Sequence, residues 1–431
     1  MKLIPKGSNK LTKVGKSLQI TNKLIKEIDS RELTYPDDFR CPIPDENFQK
    51  VLIEDYNIEV VDGTVAYKDV KGINELDCSR KKIQSLKGIE YFFSLRKLNC
   101  YRNNLTSFDL RKNTQLEVLI CEFNKLKSID VSENHSLINL KCSHNELKFL
   151  SVKQNKLLEN ISCSDNQLLS IDLSNNHKLL TLGLSRNILN LIELDKNIYL
   201  TQLTCVDNEL TSLDVSKNTA LTHLYCNRNN LTSLDVSKNT ALTDLKCGEN
   251  ELTSLDVSNN FSLKILSCIN NQLTSLDVSN NLILEGLDCS ENKLDSLDVS
   301  KNTALTQLSC GENKLTSLDV SKNIALRNLW CDINQLSSLD VSKNPYLTIL
   351  WCWNNQLTLL DVSNNDLLEE LDCSENKIDS LDVSKNIALR KLWCDINQLT
   401  SLDLSNNPKL KTVSLYGNPG DWWKELEKEE E

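Results

Sequence analysis

Leucine and cysteine recur along this chain with a regular polar spacing. A representative stretch, Leu221 to Ala241, reads LTHLYCNRNNLTSLDVSKNTA. Its first half is L-x-x-L-x-C-x-x-N and its second half, from Leu231, is L-x-x-L-D-V-x-x-N. Numbering the unit 1 to 21, apolar residues at 4 and 6 alternate with polar or variable residues at 3 and 5. That is the period of a β-strand with 4 and 6 facing inward. The cysteines place the unit in an array: from Cys100 onward they stand 21 residues apart as far as Cys394, Leu184 fills the one gap and Leu415 extends the series. A fixed period of this size signals a solenoid, whose rungs bury their apolar edges only against each other. The pattern predicts sixteen rungs from Cys100 to Leu415. At about 4.8 Å per rung they span roughly 70 Å in one right-handed, weakly curved coil.

Two asparagine series punctuate the rungs, Asn103 to Asn418 at position 9 and Asn113 to Asn407 at position 19. A short amide placed where the chain leaves a strand can both donate to and accept from backbone groups that must be satisfied. The cysteines are expected to be reduced, buried packing residues. Side chains one parallel rung apart, about 4.8 Å, fit disulfide geometry poorly. There is no C-x-x-C, and the four histidines, His135, His144, His177 and His223, stand on different rungs, so neither a metal site nor a cofactor is expected.

These repeats resemble the leucine-rich repeat superfamily, and in particular the 21-residue, cysteine-bearing class of the bacterial internalins. The motif LxxLxCxxNxLxxLDVSxNxxL covers Leu76 to about Asn418. The resemblance implies a parallel-sheet leucine-rich repeat solenoid used for protein binding or adhesion. Related bacterial proteins often carry a calcium loop near their first repeat. Here Asn57 and Asp62 of DYNIEVVDG are too far apart for one.

The organisation expected is an N-terminal cap over residues 1–72, the solenoid over 73–418 and a C-terminal capping helix over 419–431. Within the first cap, KLTKVGKSLQITNKLIKEIDSREL (10–33) reads as a helix. IPDENFQKVLIEDY reads as a second, capped by Asp45 with Phe48, Leu52 and Ile53 inward. Asp62-Gly63 signals a hairpin turn. The far end, with Asp421, Trp422, Trp423 and Leu426, reads as a helix over the last rung.

The formal net charge of −11 argues against a nucleic-acid partner, which Lys and Arg would have to hold. No run of 18 apolar residues suggests a membrane span, and the N-terminus lacks the apolar core of a signal peptide. The chain as written reads as cytoplasmic, or as secreted or surface-displayed if a leader has been removed.

Comparing the repeats with one another separates two faces. Position 15 is Asp in 13 of 15 units from Asp109 to Asp403, with Ser151 and Glu193 the exceptions. Position 5, also outward, is diverse and turns aromatic late, with Trp330, Trp351 and Trp393. Trp353 is added at position 7, and Ile333 and Ile396 at position 8. Asp332 and Asp395 flank the rings, and the intervening rung carries Glu369, Glu370, Asp372 and Glu375. Exposed aromatic patches mark binding surfaces. The residues expected to bind a partner are therefore Trp330, Asp332, Ile333, Trp351, Trp353, Asp372, Trp393, Asp395 and Ile396. A protein partner with basic and apolar groups fits them best, and a glycan stacked on the rings is the alternative. No nucleophile–base pair, phosphate loop or metal spacing points to an enzyme.

Overall fold

The computed structural model describes residues 35–419. The helix expected over 10–33 and, apart from Pro419, the one expected over 419–431, with Trp422 and Trp423, lie outside the described residues. Seventeen three-residue strands, β3 (Glu75–Asp77) to β19 (Thr412–Ser414), form one parallel sheet in which each pairs in register with its neighbours in sequence. Neither end strand closes onto the other, so the sheet is open. This is the expected leucine-rich repeat solenoid, with one further rung, at Cys78, ahead of Cys100.

Each strand occupies positions 3 to 5. Its central residue is buried, except for the partly buried Val413 of the last strand, and its two flanking residues face outward, as in His223–Tyr225 around Leu224. Leu at 1, 4 and 11, Cys at 6 and Val at 16 are buried in rung after rung. The position 9 amide uses both ends. Asn229 donates to the carbonyls of Cys205 and Cys226 at 3.0 Å each, and its Oδ1 accepts from Leu210 N at 3.1 Å. The position 19 amide clamps two rungs with its NH₂ alone: Asn239 donates to Val215 O and Asn218 O at 3.0 and 2.9 Å. Position 15 is structural too. Asp235 Oδ1 accepts from Ser237 N at 2.9 Å, an Asx turn repeated down the column, and this bond leads the causes that hold the Asp235 carboxyl below the usual carboxylate range.

Position 8 adopts left-handed backbone in every rung from Arg102 to Ile396, with φ between +47° and +59°. The chain must reverse there to bring the position 9 amide under the strand. Asp, Asn and His tolerate this region, whereas a β-branched residue does not. Ile333, at +47°, and Ile396, at +50°, are therefore strained.

Ahead of the sheet, β1 (Arg40–Pro42) pairs antiparallel with β2 (Thr64–Ala66), flanked by helices α1 (Glu46–Glu54) and α2 (Tyr67–Val70). Asp45 caps α1, accepting from Asn47 N and Phe48 N through Oδ1. Its Oδ2 accepts from Gln84 N and Ser85 N, which ties the cap to the first rung. Gly88, at φ +105°, lets Ile43 seat against the backbone, for a Cβ there would lie 2.3 Å from Ile43 Cδ1. Two expectations need correction. Ile53 is 48% exposed, because Phe48, Val51 and Leu52 share the buried stripe and Ile53 falls one step beyond it. The turn at Asp62-Gly63 exists, but only a single bridge, Val61 to Thr64, joins its flanks. The strand that follows pairs with Arg40–Pro42, and Tyr67–Val70 is helical.

All sixteen cysteines are free and buried, and burial pushes the Cys100 and Cys205 thiols up to about 12. Because the thiolate is the reactive form, a thiol reagent at neutral pH should modify almost none in the native protein and all sixteen in denaturant. Several thiols reacting without unfolding would contradict this packing. The second expectation concerns the strained turn. Ile396→Asn should raise unfolding stability by about 1 kcal/mol, since Asn relieves left-handed strain of that order and Ile396, half exposed, gives up little burial. A lowered denaturation midpoint would show that the side chain holds the rung.

Candidate binding surface

Cross-strand register sets the order of the outward side chains. Trp330 stands beside Trp351, Trp351 beside Asp372, and Asp372 beside Trp393. The Trp330 and Trp351 rings meet edge to face at 87°, with centroids 6.4 Å apart. Neighbours therefore cover much of each ring, and all four tryptophans stand half-buried on the outward face. The Trp351 indole N–H is buried without an acceptor among the described residues. Such an unmade bond is a cost.

Trp330, Trp351, Trp353 and Asp332 wall one end of a concavity of about 480 Å³. It runs back along the outward face to Ile265 and Ile269, over a floor that includes Gly286, Ser309 and Gly311. Asp332 leans over Gly311, where a Cβ would lie 3.0 Å from either carboxylate oxygen, so glycine makes room for the acid. Burial raises the Asp332 carboxyl above its ordinary range, and the nearby charges of Glu312 and Asp372 add to the rise. Glu291 is raised by burial and by Glu312 and Asp288. The lining contains four acids, Asp288, Glu291, Glu312 and Asp332, and no Lys or Arg.

The remaining expected residues are not gathered into this concavity. Asp372 is half-buried and its Oδ1 accepts from Ser374 N at 3.0 Å; burial, then the charges of Asp395 and Glu375, raise its carboxyl. Trp393 lies beyond the Asp372 rung, with the Lys391 ammonium 5.9 Å from its ring centroid. Asp395 is committed to the last rung, accepting from Ser414 Oγ and Tyr416 N. Glu369 and Glu370 pair with Arg390 and Lys391. Ile333 and Ile396 occupy the strained turn column.

Comparing position 5 alone missed the floor and the far wall. The legible signal was the run of small residues at outward positions 3, 5 and 7 of adjacent rungs, Gly286, Ser290, Ser309 and Gly311, just before the aromatic rungs. Among the described residues no group of three or more His, Cys, Asp or Glu could hold a metal ion. No helix among them is long and apolar enough to cross a membrane.

No family model matches the chain. Internalin J of Listeria monocytogenes serotype 4b is 38% identical over 71 residues, a stretch covering 16% of this chain and 8% of that much longer protein. The solved functional domain of internalin J from Listeria monocytogenes, which includes a cysteine ladder, superposes with a TM-score of 0.79 at 35% identity, covering 82% of this chain and 80% of that domain. A leucine-rich repeat protein of Leptospira interrogans shares the fold at TM-score 0.70 and 24% identity, over 84% of this chain and 94% of that one. Period, buried cysteine ladder and superposition agree: the chain belongs to the internalin-like leucine-rich repeat proteins of the 21-residue, cysteine-ladder class.

Proposed function

We propose that the chain is a non-enzymatic scaffold that binds a protein partner through the concavity ending at Trp330, Trp351 and Trp353. Leucine-rich repeat proteins of the internalin type are protein-binding scaffolds, which supports the class of activity. The observation that carries the position is a half-buried aromatic wall beside four acids on the one face whose outward residues vary from rung to rung. Trp is enriched at the energetic centres of interfaces. The concavity is small against a standard footprint of about 800 Å² per partner, so it would be the centre of a contact that extends over neighbouring rungs. Trp393, covered by Lys391, belongs to the rim in this reading.

The test is affinity capture followed by rebinding of the purified, identified partner. Trp351→Ala should weaken that binding about thirtyfold, equivalent to about 2 kcal/mol. Trp393→Ala should change it by less than about threefold, with both variants showing native circular dichroism. Equal losses at the two positions would return the site to the broader aromatic patch. Binding to glycans on an array, with no protein partner that depends on Trp351, would favour the carbohydrate alternative.

A further inference from the structure

Three aromatic rings on this outward face carry a cation from the chain itself. Arg80 lies over Tyr101 at 5.4 Å, Lys246 over Tyr225 at 4.9 Å and Lys391 over Trp393 at 5.9 Å. Trp330, Trp351 and Trp353, like Phe123 and Tyr416, carry none: among the described residues no lysine or arginine stands over any of them. Several carboxylates on other rungs are paired across the rung step, as in Arg96–Glu117, Arg228–Glu249, Lys264–Glu285 and Lys391–Glu370. Asp288, Glu291, Glu312 and Asp332 make no ion pair among the described residues, although they share one concavity. Burial first, and then neighbouring acids with Glu312 common to both, raises the carboxyls of Glu291 and Asp332. The concavity thus gathers aromatic faces and negative charge, the two features that attract a cation, and the chain supplies none.

We propose that this concavity receives a lysine or arginine side chain from an extended segment of the partner, seated between the Trp330 and Trp351 rings and the Asp332 and Glu312 carboxylates. The proposal rests on the protein-binding reading and names what that site selects. Its length fits an extended segment. From the strand of Ile265 to that of Trp351 is four rung steps, about 19 Å at about 4.8 Å each, which is about six residues of extended chain. Ile265 and Ile269 at the far end offer an apolar contact for a neighbouring side chain of the same segment. A neutral or acidic segment would leave the four carboxylates facing each other in a partly desolvated site, which disfavours it.

Random heptapeptides displayed on phage, selected on the immobilised whole chain and then measured by calorimetry as free peptides, test this directly. The selected peptides should share one Lys or Arg. Replacing it by acetyl-lysine or citrulline should weaken binding at least tenfold. Asp332→Asn, which keeps the shape of the site, should weaken binding of the parent peptide at least fivefold, and Trp351→Ala at least tenfold. Peptides that depend on Trp351 but lose less than threefold when their cation is neutralised would overturn the cation and leave the protein-binding reading standing. A selection yielding no peptide that depends on Trp351 would overturn both. Should Trp351→Ala lose its native circular dichroism, Asp332→Asn and the neutralised peptides decide the matter alone.

Discussion

The structure depends on an asparagine side chain that grips two rungs at once. Asn250 donates to the carbonyls of Cys226 and Cys247, and its own carbonyl accepts from Leu231 N, so the turn of one rung is completed by its neighbour. Those backbone groups lie where strand pairing has ended, and left unpaired each would cost about 1–3 kcal/mol. The geometry repeats only if the next asparagine arrives after the same number of residues. That requirement holds the period at 21 from Cys100 to Leu415, even where Leu184 replaces cysteine. It also explains the left-handed residue at position 8, which turns the chain so that the amide points beneath the strand.

The same constraint divides each rung into fixed and free positions. Inward residues meet identical neighbours above and below, and any change of volume is felt on both sides. Cysteine fits as a small apolar side chain whose thiol stays protonated in the desolvated stack. Outward residues at 3, 5 and 7 take no part in the ladder. Some rungs settle these positions with local pairs of their own, such as Lys246 over Tyr225 or Lys391 beside Glu370. In the concavity between Ile265 and Trp353 the rings and the four acids have no such partner among the described residues, and they face solvent space that nothing in the described chain fills.

Most of the fold was legible in the amino-acid sequence, because period, inward cysteine and the two asparagine series each report one backbone requirement repeated many times. The cap was less so. Asp45 was readable as a helix cap, but its second carboxylate oxygen reaching Gln84 and Ser85 was not, since that contact spans 39 and 40 residues. Strand pairing between Arg40–Pro42 and Thr64–Ala66 is likewise a distant choice that local turn chemistry cannot make. At the candidate site the tryptophans stood out by type, whereas its shape comes from what is missing: glycine at 286 and 311 matters only once Ile265 and Asp332 are seen leaning over it. Trp393, the same residue at the same position as Trp330, was indistinguishable in sequence until Lys391 was found over its ring.

The central claim is that stability lives in the repeated ladder and is indifferent to which rung is present, while recognition lives in particular outward residues. Deleting one whole period, Leu231 to Glu251, joins Asn230 to Leu252 without shifting any later position relative to the ladder. Chemical denaturation of this variant, followed by circular dichroism, should give one cooperative transition with a midpoint close to that of the full chain. Its fifteen remaining cysteines should stay protected until that transition. A variant that is unfolded, or whose thiols react before the transition, would contradict a ladder built from interchangeable nearest-neighbour contacts.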